Sequence, residues 1–347
     1  MSETISGTIL RGPALDPIEG QLLVDDGEIV AIEESSVDTQ KIIFPAFVNA
    51  HTHIGDSIAK EAGAGLSLDD LVAPPDGLKH QLLRAASDEE LIEAMARSLQ
   101  YMHASGTALF LEFREGGVAG IEAIEAALEE VAIEAVVFGR ESIDALERGD
   151  GFGASGARDN EFDDARTAAR ELQKPFAIHA GERDPDDIDP AFDLDPDLLV
   201  HMVHTQPEQF DWLADTQTPV AVCPRSNLVT GVGVPPVRKL LDHTTVALGT
   251  DNVMLNSPSM FREMAYTCKL CDVSAREVLQ MATINGARAI GIDSWAIEEG
   301  TPAALCVLDG TTDNLVGARD PVRAIVRRAG INDVERVVRS GKRLYSR

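Results

Sequence analysis

The sequence predicts an α/β protein: a distorted barrel of eight parallel strands alternating with helices, (β/α)8, and a small β-sandwich built from both termini. Three observations carry this. Short apolar runs alternate with helical segments eight times from Ile42 onward, the residues capable of chemistry fall at the C-terminal ends of those runs, and both chain ends switch to short alternating strands and turns.

The runs span 42–53, 107–113, 134–139, 150–155, 175–180, 198–203, 219–224 and 245–250. The fourth departs from the pattern because it contains Gly151 and Gly153, and glycine packs poorly in strands. Helix starts are marked by a Ser or Thr three residues before Glu: Ser87 with Glu90, Thr205 with Glu208, and Ser274 with Glu277. After the first of these, Leu91, Met95, Leu99 and Met102 repeat at helical spacing and read as core. At the ends, Asp26-Gly27 between alternating apolar residues marks a hairpin. Neither end is long enough to fold alone, so 1–45 and 298–347 are expected to pair into one small domain beside a barrel of 46–297.

Two stretches interrupt the alternation. Residues 54–86, with Pro74-Pro75-Asp76-Gly77, are too long for a simple strand-to-helix turn and predict a lid or substrate wall, which makes Lys79 and His80 candidate contacts. Residues 182–197 hold eight carboxylates and one basic residue, the composition of a solvated acidic loop, with a calcium site as the alternative.

The net charge is −28, from 58 acidic and 30 basic residues, which disfavours nucleic acid and anionic membranes as partners. Such an excess is tolerated where concentrated salt shortens the Debye length to about 3 Å, so a salt-rich cytoplasm is the preferred setting and an ordinary acidic enzyme the alternative. No apolar run reaches the roughly 18 residues of a membrane span, and the first residues lack the pattern of a secretory leader, so a cytoplasmic location is expected. Four cysteines do not make a disulfide scaffold. Cys268 and Cys271 are read as small core residues, because a zinc site needs two further soft ligands.

The chemistry gathers at the strand ends. His51 and His53 close the first run, His179 the fifth and Asp251 the eighth, and residues two apart on a strand point to the same side. Three imidazoles and a carboxylate can hold one divalent ion that acidifies water, with Asp251 both ligand and proton acceptor. Glu182, three residues beyond His179, is placed as a general acid, and His201 near the end of the sixth run as the residue holding or polarising the reacting groups. The competing view, that each histidine is a satisfied core or surface group, requires five polar residues to coincide by chance.

These residues sit in motifs that resemble the amidohydrolase superfamily, in the branch of cytosine, guanine, adenosine and triazine deaminases and chlorohydrolases. The matching pieces are His51-Thr52-His53 after Pro-Ala-Phe-Val-Asn-Ala, His179-Ala180-Gly181-Glu182, His201 in Val-His-Met-Val-His, Cys223-Pro224-Arg225-Ser226-Asn227-Leu228, and Gly249-Thr250-Asp251-Asn252. The resemblance spans nearly the whole length. It implies a TIM barrel with a small β-sandwich, one zinc or iron on His51, His53, His179 and Asp251, and substrate work by Glu182 and His201. It also implies a homo-oligomer. Dinuclear relatives carry a carboxylated lysine after strand four. The region 152–159 has no lysine, so the resemblance implies a single metal and favours deamination.

Candidate substrate contacts are Arg114, Arg225, Asn227, His204 and Asn252. Arg114, Arg140, Arg183 and Arg225 each follow a different strand, and either grip an anionic substrate or pair with neighbouring acids and brace loops. His204 is either a substrate contact or an exposed cap. The expected activity is a mononuclear metal-dependent hydrolytic deamination of a small purine, pyrimidine or pteridine type heterocycle, neutral or anionic, releasing ammonia. The rivals are the same machinery on a cyclic amide or chlorinated ring, and a non-catalytic metal-binding homologue.

Overall fold

The computed structural model describes residues 2–129 and 131–339 in full and the backbone of 342–346. Met1, Glu130, Ser340, Gly341 and Arg347, four of them in the predicted terminal segments, lie outside the described residues. In chain order the strands are β1 (Glu3–Arg11), β2 (Asp16–Asp25), β3 (Glu28–Glu34), β4 (Ile42–Pro45), β5 (Phe47–His53), β6 (Thr107–Arg114), β7 (Glu134–Gly139) and β8 (Gly151–Ala154). They continue as β9 (Phe176–Ala180), β10 (Leu198–His201), β11 (Val220–Val222), β12 (Val246–Leu248), β13 (Asp251–Asn252), β14 (Ala304–Leu308), β15 (Val334–Arg339) and β16 (Lys342–Ser346).

Both chain ends enter one seven-stranded sheet, in the order β16-β15-β14-β4-β1-β2-β3. Its β2–β3 hairpin turns on Asp26 and Gly27, both at positive φ (47° and 89°), the left-handed pair that a two-residue turn of this hand requires. The expected run 42–53 is split at Ala46. Its amide donates to the Ala304 carbonyl at 3.0 Å and its carbonyl accepts from the buried Trp295 indole at 2.8 Å, so β4 serves the terminal sheet and β5 the barrel.

The second sheet is parallel throughout, in the order β12-β11-β10-β9-β8-β7-β6-β5-β13. Its two edges are consecutive in the chain. Strand eight breaks at Gly249-Thr250: the Gly249 amide still donates to Val222 of β11 at 3.0 Å, while that of Thr250 has crossed to His51 of β5 at 3.1 Å. A side chain at Gly249 would put its Cβ 2.8 Å from that of His51, so only glycine permits the crossing. The result is a curled sheet of the distorted TIM-barrel kind, its inside filled by Ala50, Phe113, Phe138, Ala177, Val200 and Ala247.

Helices follow their local signals with one shift. Ser87–Glu90 and Ser274–Glu277 form reciprocal caps, and Leu91, Met95, Leu99 and Met102 are buried. The expected Thr205–Glu208 box is replaced by Gln206 with Gln209, one residue on. Pro207, which has no amide hydrogen to satisfy, takes the first helical position, and the Thr205 hydroxyl donates to Met202. Cys268 and Cys271 are half-buried free thiols packed on the core. Among the described residues no helix is long and apolar enough to cross a membrane.

Candidate metal centre and catalytic cleft

His51 and His53 point to one side of β5, as the strand repeat requires, while Thr52 between them turns away to the Leu111 carbonyl at 2.9 Å. His179 arrives from β9 and Asp251 from β13, and one ligand atom from each of the four lies within 4.8 Å of the others. His53 Nε2 is 3.4 Å from His179 Nε2, and Asp251 Oδ1 stands 3.2 Å from His51 Nε2 and 3.6 Å from His53 Nε2.

These imidazoles are held neutral. Burial pushes His51 down, His179 well down, and His53 to about 3, the last helped by the nearby Lys79 ammonium. His179 Nδ1 lies 2.7 Å from the Ala154 carbonyl, which assigns the proton to that nitrogen and leaves the Nε2 lone pair facing the cluster. Neither His51 nitrogen has a hydrogen-bond partner. Buried lone pairs converging on an anionic oxygen repel one another unless a cation lies between them, so the donor set fits a divalent ion.

Asp251 is held by the fold around it. Burial disfavours its charge, but the His51 ring 3.2 Å away and the surrounding histidines outweigh this and leave its carboxyl well below the usual range. The Ser226 hydroxyl donates to Oδ2. Asp251 has a left-handed backbone (φ 55°), as does His201 (φ 77°), strain of the kind concentrated at functional sites. Asn49 clamps the preceding turn, donating to Thr250 Oγ1 at 2.7 Å and accepting from its amide at 2.9 Å.

Beside the four lies a second group, Glu182, His201 and again Asp251. His201 Nε2 is 3.5 Å from Glu182 Oε2, and the Asn227 amide nitrogen lies 3.0 Å from His201 Nδ1 and 3.4 Å from Glu182 Oε1. Burial raises the Glu182 carboxyl, which favours its proton-carrying form. The cavity over both groups has a volume of about 90 Å³ and is roofed by Leu68, Pro74, Lys79 and His80 of the 54–86 stretch. A larger chamber of about 580 Å³ adjoins it and shares His80, Arg140 and Ser155.

The other expected contacts divide. Asn252 lines the cavity, its Oδ1 accepting from the Met254 amide at 2.9 Å. Asn227 sits just behind the cavity, on Glu182 and His201. His204 is half-buried and absent from the cavity wall, its amide bonded to Gly181 at 3.0 Å. Arg225 is spent on Glu263 and the Ser257 carbonyl, and Arg114 on the Gly120 carbonyl, so both have the geometry of braces. The arginines on the cavity wall are Arg140 and Arg183. Lys174 binds three carbonyls between Leu146 and Gly149, before β8 begins.

Sequence reasoning gave Glu115 no role at the site. Its Oε1 is 2.9 Å from His53 Nδ1, 2.7 Å from Lys79 Nζ and 3.0 Å from Arg140 Nη1. The available signal was its place one residue beyond β6, at the functional end of a barrel strand. Ser226 and Asn49 lay inside recognised motifs without an assigned role.

The amidohydrolase family profile matches residues 42–344. A Methanothermobacter thermautotrophicus protein carrying a provisional aminohydrolase name is 34% identical, over 97% of each chain. The 5-methylthioadenosine/S-adenosylhomocysteine deaminase of Haloarcula marismortui is 30% identical over 99% of this chain and 92% of its own. Among solved structures, the zinc complex of atrazine chlorohydrolase from Arthrobacter aurescens superposes with a TM-score of 0.81 at 19% identity, over 99% of this chain and 95% of the other, a likeness of fold. With the profile spanning both sheets and the strand-end histidines and aspartate inside it, the chain belongs to the amidohydrolase family and is a hydrolase acting on carbon–nitrogen bonds.

Proposed function

We propose that this chain is a mononuclear metal-dependent deaminase of a small nitrogen heterocycle, with zinc the first choice of ion and iron the second. The observation that carries the reading is the convergence of His51, His53, His179 and Asp251 beside a carboxyl, Glu182, whose burial favours its protonated form. The deaminase name of the Haloarcula relative supports an aminopurine derivative as the first substrate to test. The barrel, 46–297, carries the chemistry in this reading, with 1–45 and 298–347 as the small domain.

An ion held by the four ligands supplies Lewis acidity, making hydroxide available near neutral pH. The chain's own residues supply the rest. Asp251 Oδ1 faces the cavity as a proton acceptor, while Ser226 holds its other oxygen. Glu182 gives its proton to the ring nitrogen, and the proton that Asp251 takes from the nucleophile passes to the departing amine, so the two protons of one water end on the ring and on ammonia. His201, fixed through Nδ1 by Asn227, presents Nε2 to the substrate carbon's surroundings. The roof over 54–86 limits water around the reacting groups.

The test is ammonia release across a panel of aminopurines, aminopyrimidines and aminopteridines, with metal content measured in parallel. One equivalent of zinc or iron, lost together with activity under a chelator, is the expected result. Turnover without ammonia would redirect the reading to ring opening or dechlorination. A metal-free chain inert on the whole panel would overturn it.

A further inference from the structure

Glu115 lies where the roof of the cleft meets the metal ligands. It is 2% exposed, and its Oε1 is in contact with three groups from three parts of the chain: His53 Nδ1 on β5, Arg140 just after β7, and Lys79 on the roof helix Leu78–Ala85. Lys79 is equally buried, at 3% exposed, and its ammonium also lies 3.0 Å from Asp56, a fully buried carboxylate on the short 3-10 helix Ile54–Ala59 that follows β5. A single cation from the roof thus stands between two buried acids.

Two physical consequences follow. A carboxylate oxygen 2.9 Å from Nδ1 favours the proton on that nitrogen, which leaves the Nε2 lone pair to Asp251 and His179 and would make the ring a stronger ligand. A buried carboxylate is costly unless paired, so withdrawing Lys79 would leave Glu115 with Arg140 at 3.0 Å and Arg114 at the 4.0 Å limit, and Asp56 without a cation within ion-pair range. The seating of the roof and the quality of His53 as a ligand therefore share one carboxylate.

We propose that Glu115 is a positioning residue that couples the seating of the roof helix, through Lys79, to metal affinity at His53. Linkage is reciprocal: an ion that strengthens the His53–Glu115 bond holds the roof down, and a seated roof strengthens metal binding by the same factor. Arg140 keeps part of the charge balance when the roof lifts, so opening for substrate entry weakens the centre without dismantling it. This inference rests on the metal-centre reading above.

The experiment measures zinc affinity by competition with a chromogenic chelator, and hydrogen exchange of the 78–85 amides with and without zinc, in wild type, Glu115→Gln, Lys79→Met and Lys79→Arg. Wild type should show slower exchange in 78–85 when zinc is bound. Glu115→Gln should bind zinc about 10- to 100-fold more weakly and lose the effect of zinc on the roof. Lys79→Met, which leaves Glu115 on His53, should lose the roof effect with a smaller fall in affinity, and Lys79→Arg should restore part of it. Should Glu115→Gln fail to fold, the two Lys79 variants carry the test. Wild-type zinc binding with unchanged 78–85 exchange, or a Glu115→Gln affinity within about twofold of wild type, overturns this inference alone. A wild type that binds neither zinc nor iron overturns the metal-centre reading and this inference with it.

Discussion

Arg225 and Glu263 are locked together inside the barrel's rim: Glu263 Oε2 accepts from Arg225 Nε at 2.6 Å, and Oε1 accepts from the Arg225 backbone amide at 2.9 Å. Both residues are buried, and the remaining guanidinium reach goes to the Ser257 carbonyl. The pair therefore fixes the turn carrying Ser226 and Asn227, which in turn hold Asp251 and His201. Removing one partner leaves the other as an unpaired buried charge, so Glu263→Ala should cost about 3–5 kcal/mol of stability, measured by chemical denaturation. An Arg225→Ala variant that folds should shift KM for anionic and neutral substrates by the same factor, because the guanidinium is already occupied.

Glu182 is the proton carrier of the proposed reaction and stands outside the four-residue ligand set. Glu182→Gln keeps the shape and a hydrogen-bonding group but cannot transfer the proton. A fall in kcat of roughly 10²- to 10⁴-fold is expected, with KM and bound metal close to wild type. Loss of the metal in this variant would instead make Glu182 a ligand.

His103 gives the fold a pH dependence separate from the cleft. Burial lowers it from 6.5 to about 4 in the folded chain, whereas the unfolded chain titrates near the ordinary value. Between those limits the unfolded state binds the extra proton, so stability falls as pH drops through that window, with a slope of up to about 1.4 kcal/mol per pH unit. Above pH 6.5 the contribution is fully present and constant. Denaturation midpoints at pH 7.5 and 5 should differ less in His103→Gln than in wild type.

The charge of −28 predicts a salt response. Self-repulsion among exposed carboxylates is screened over about 3 Å at 1 M salt and about 30 Å at 0.01 M. Melting temperature should therefore rise steeply with KCl and the chain should lose structure at low salt. A melting temperature indifferent to KCl between these limits would make this an ordinary acidic enzyme.

Local chemistry was readable where neighbours in the chain decide the outcome. Asp26-Gly27 turns because left-handed backbone is open to it, Ser87 and Ser274 cap because a hydroxyl reaches the third amide onward, and His51 and His53 share a face because the strand repeat is two. The shift of the Thr205 cap to Gln206 shows the limit of such rules: Pro207 at the first helical position outweighed the serine-like signal.

The sequence by itself determined the alternation of strands and helices, the joining of both chain ends, and the strand-end residues that make up the candidate metal site, since all of these follow from periodicity and local polarity. Only the tertiary structure decided how strand eight crosses at Gly249, that Arg225 braces Glu263, and that Lys79 of the roof meets Glu115 against His53. The Thr250–His51, Arg225–Glu263, Lys79–Glu115 and Glu115–His53 contacts join residues 36 to 199 positions apart, and which buried charge finds which partner is set by the curl of the sheet and the cost of leaving any of them unpaired.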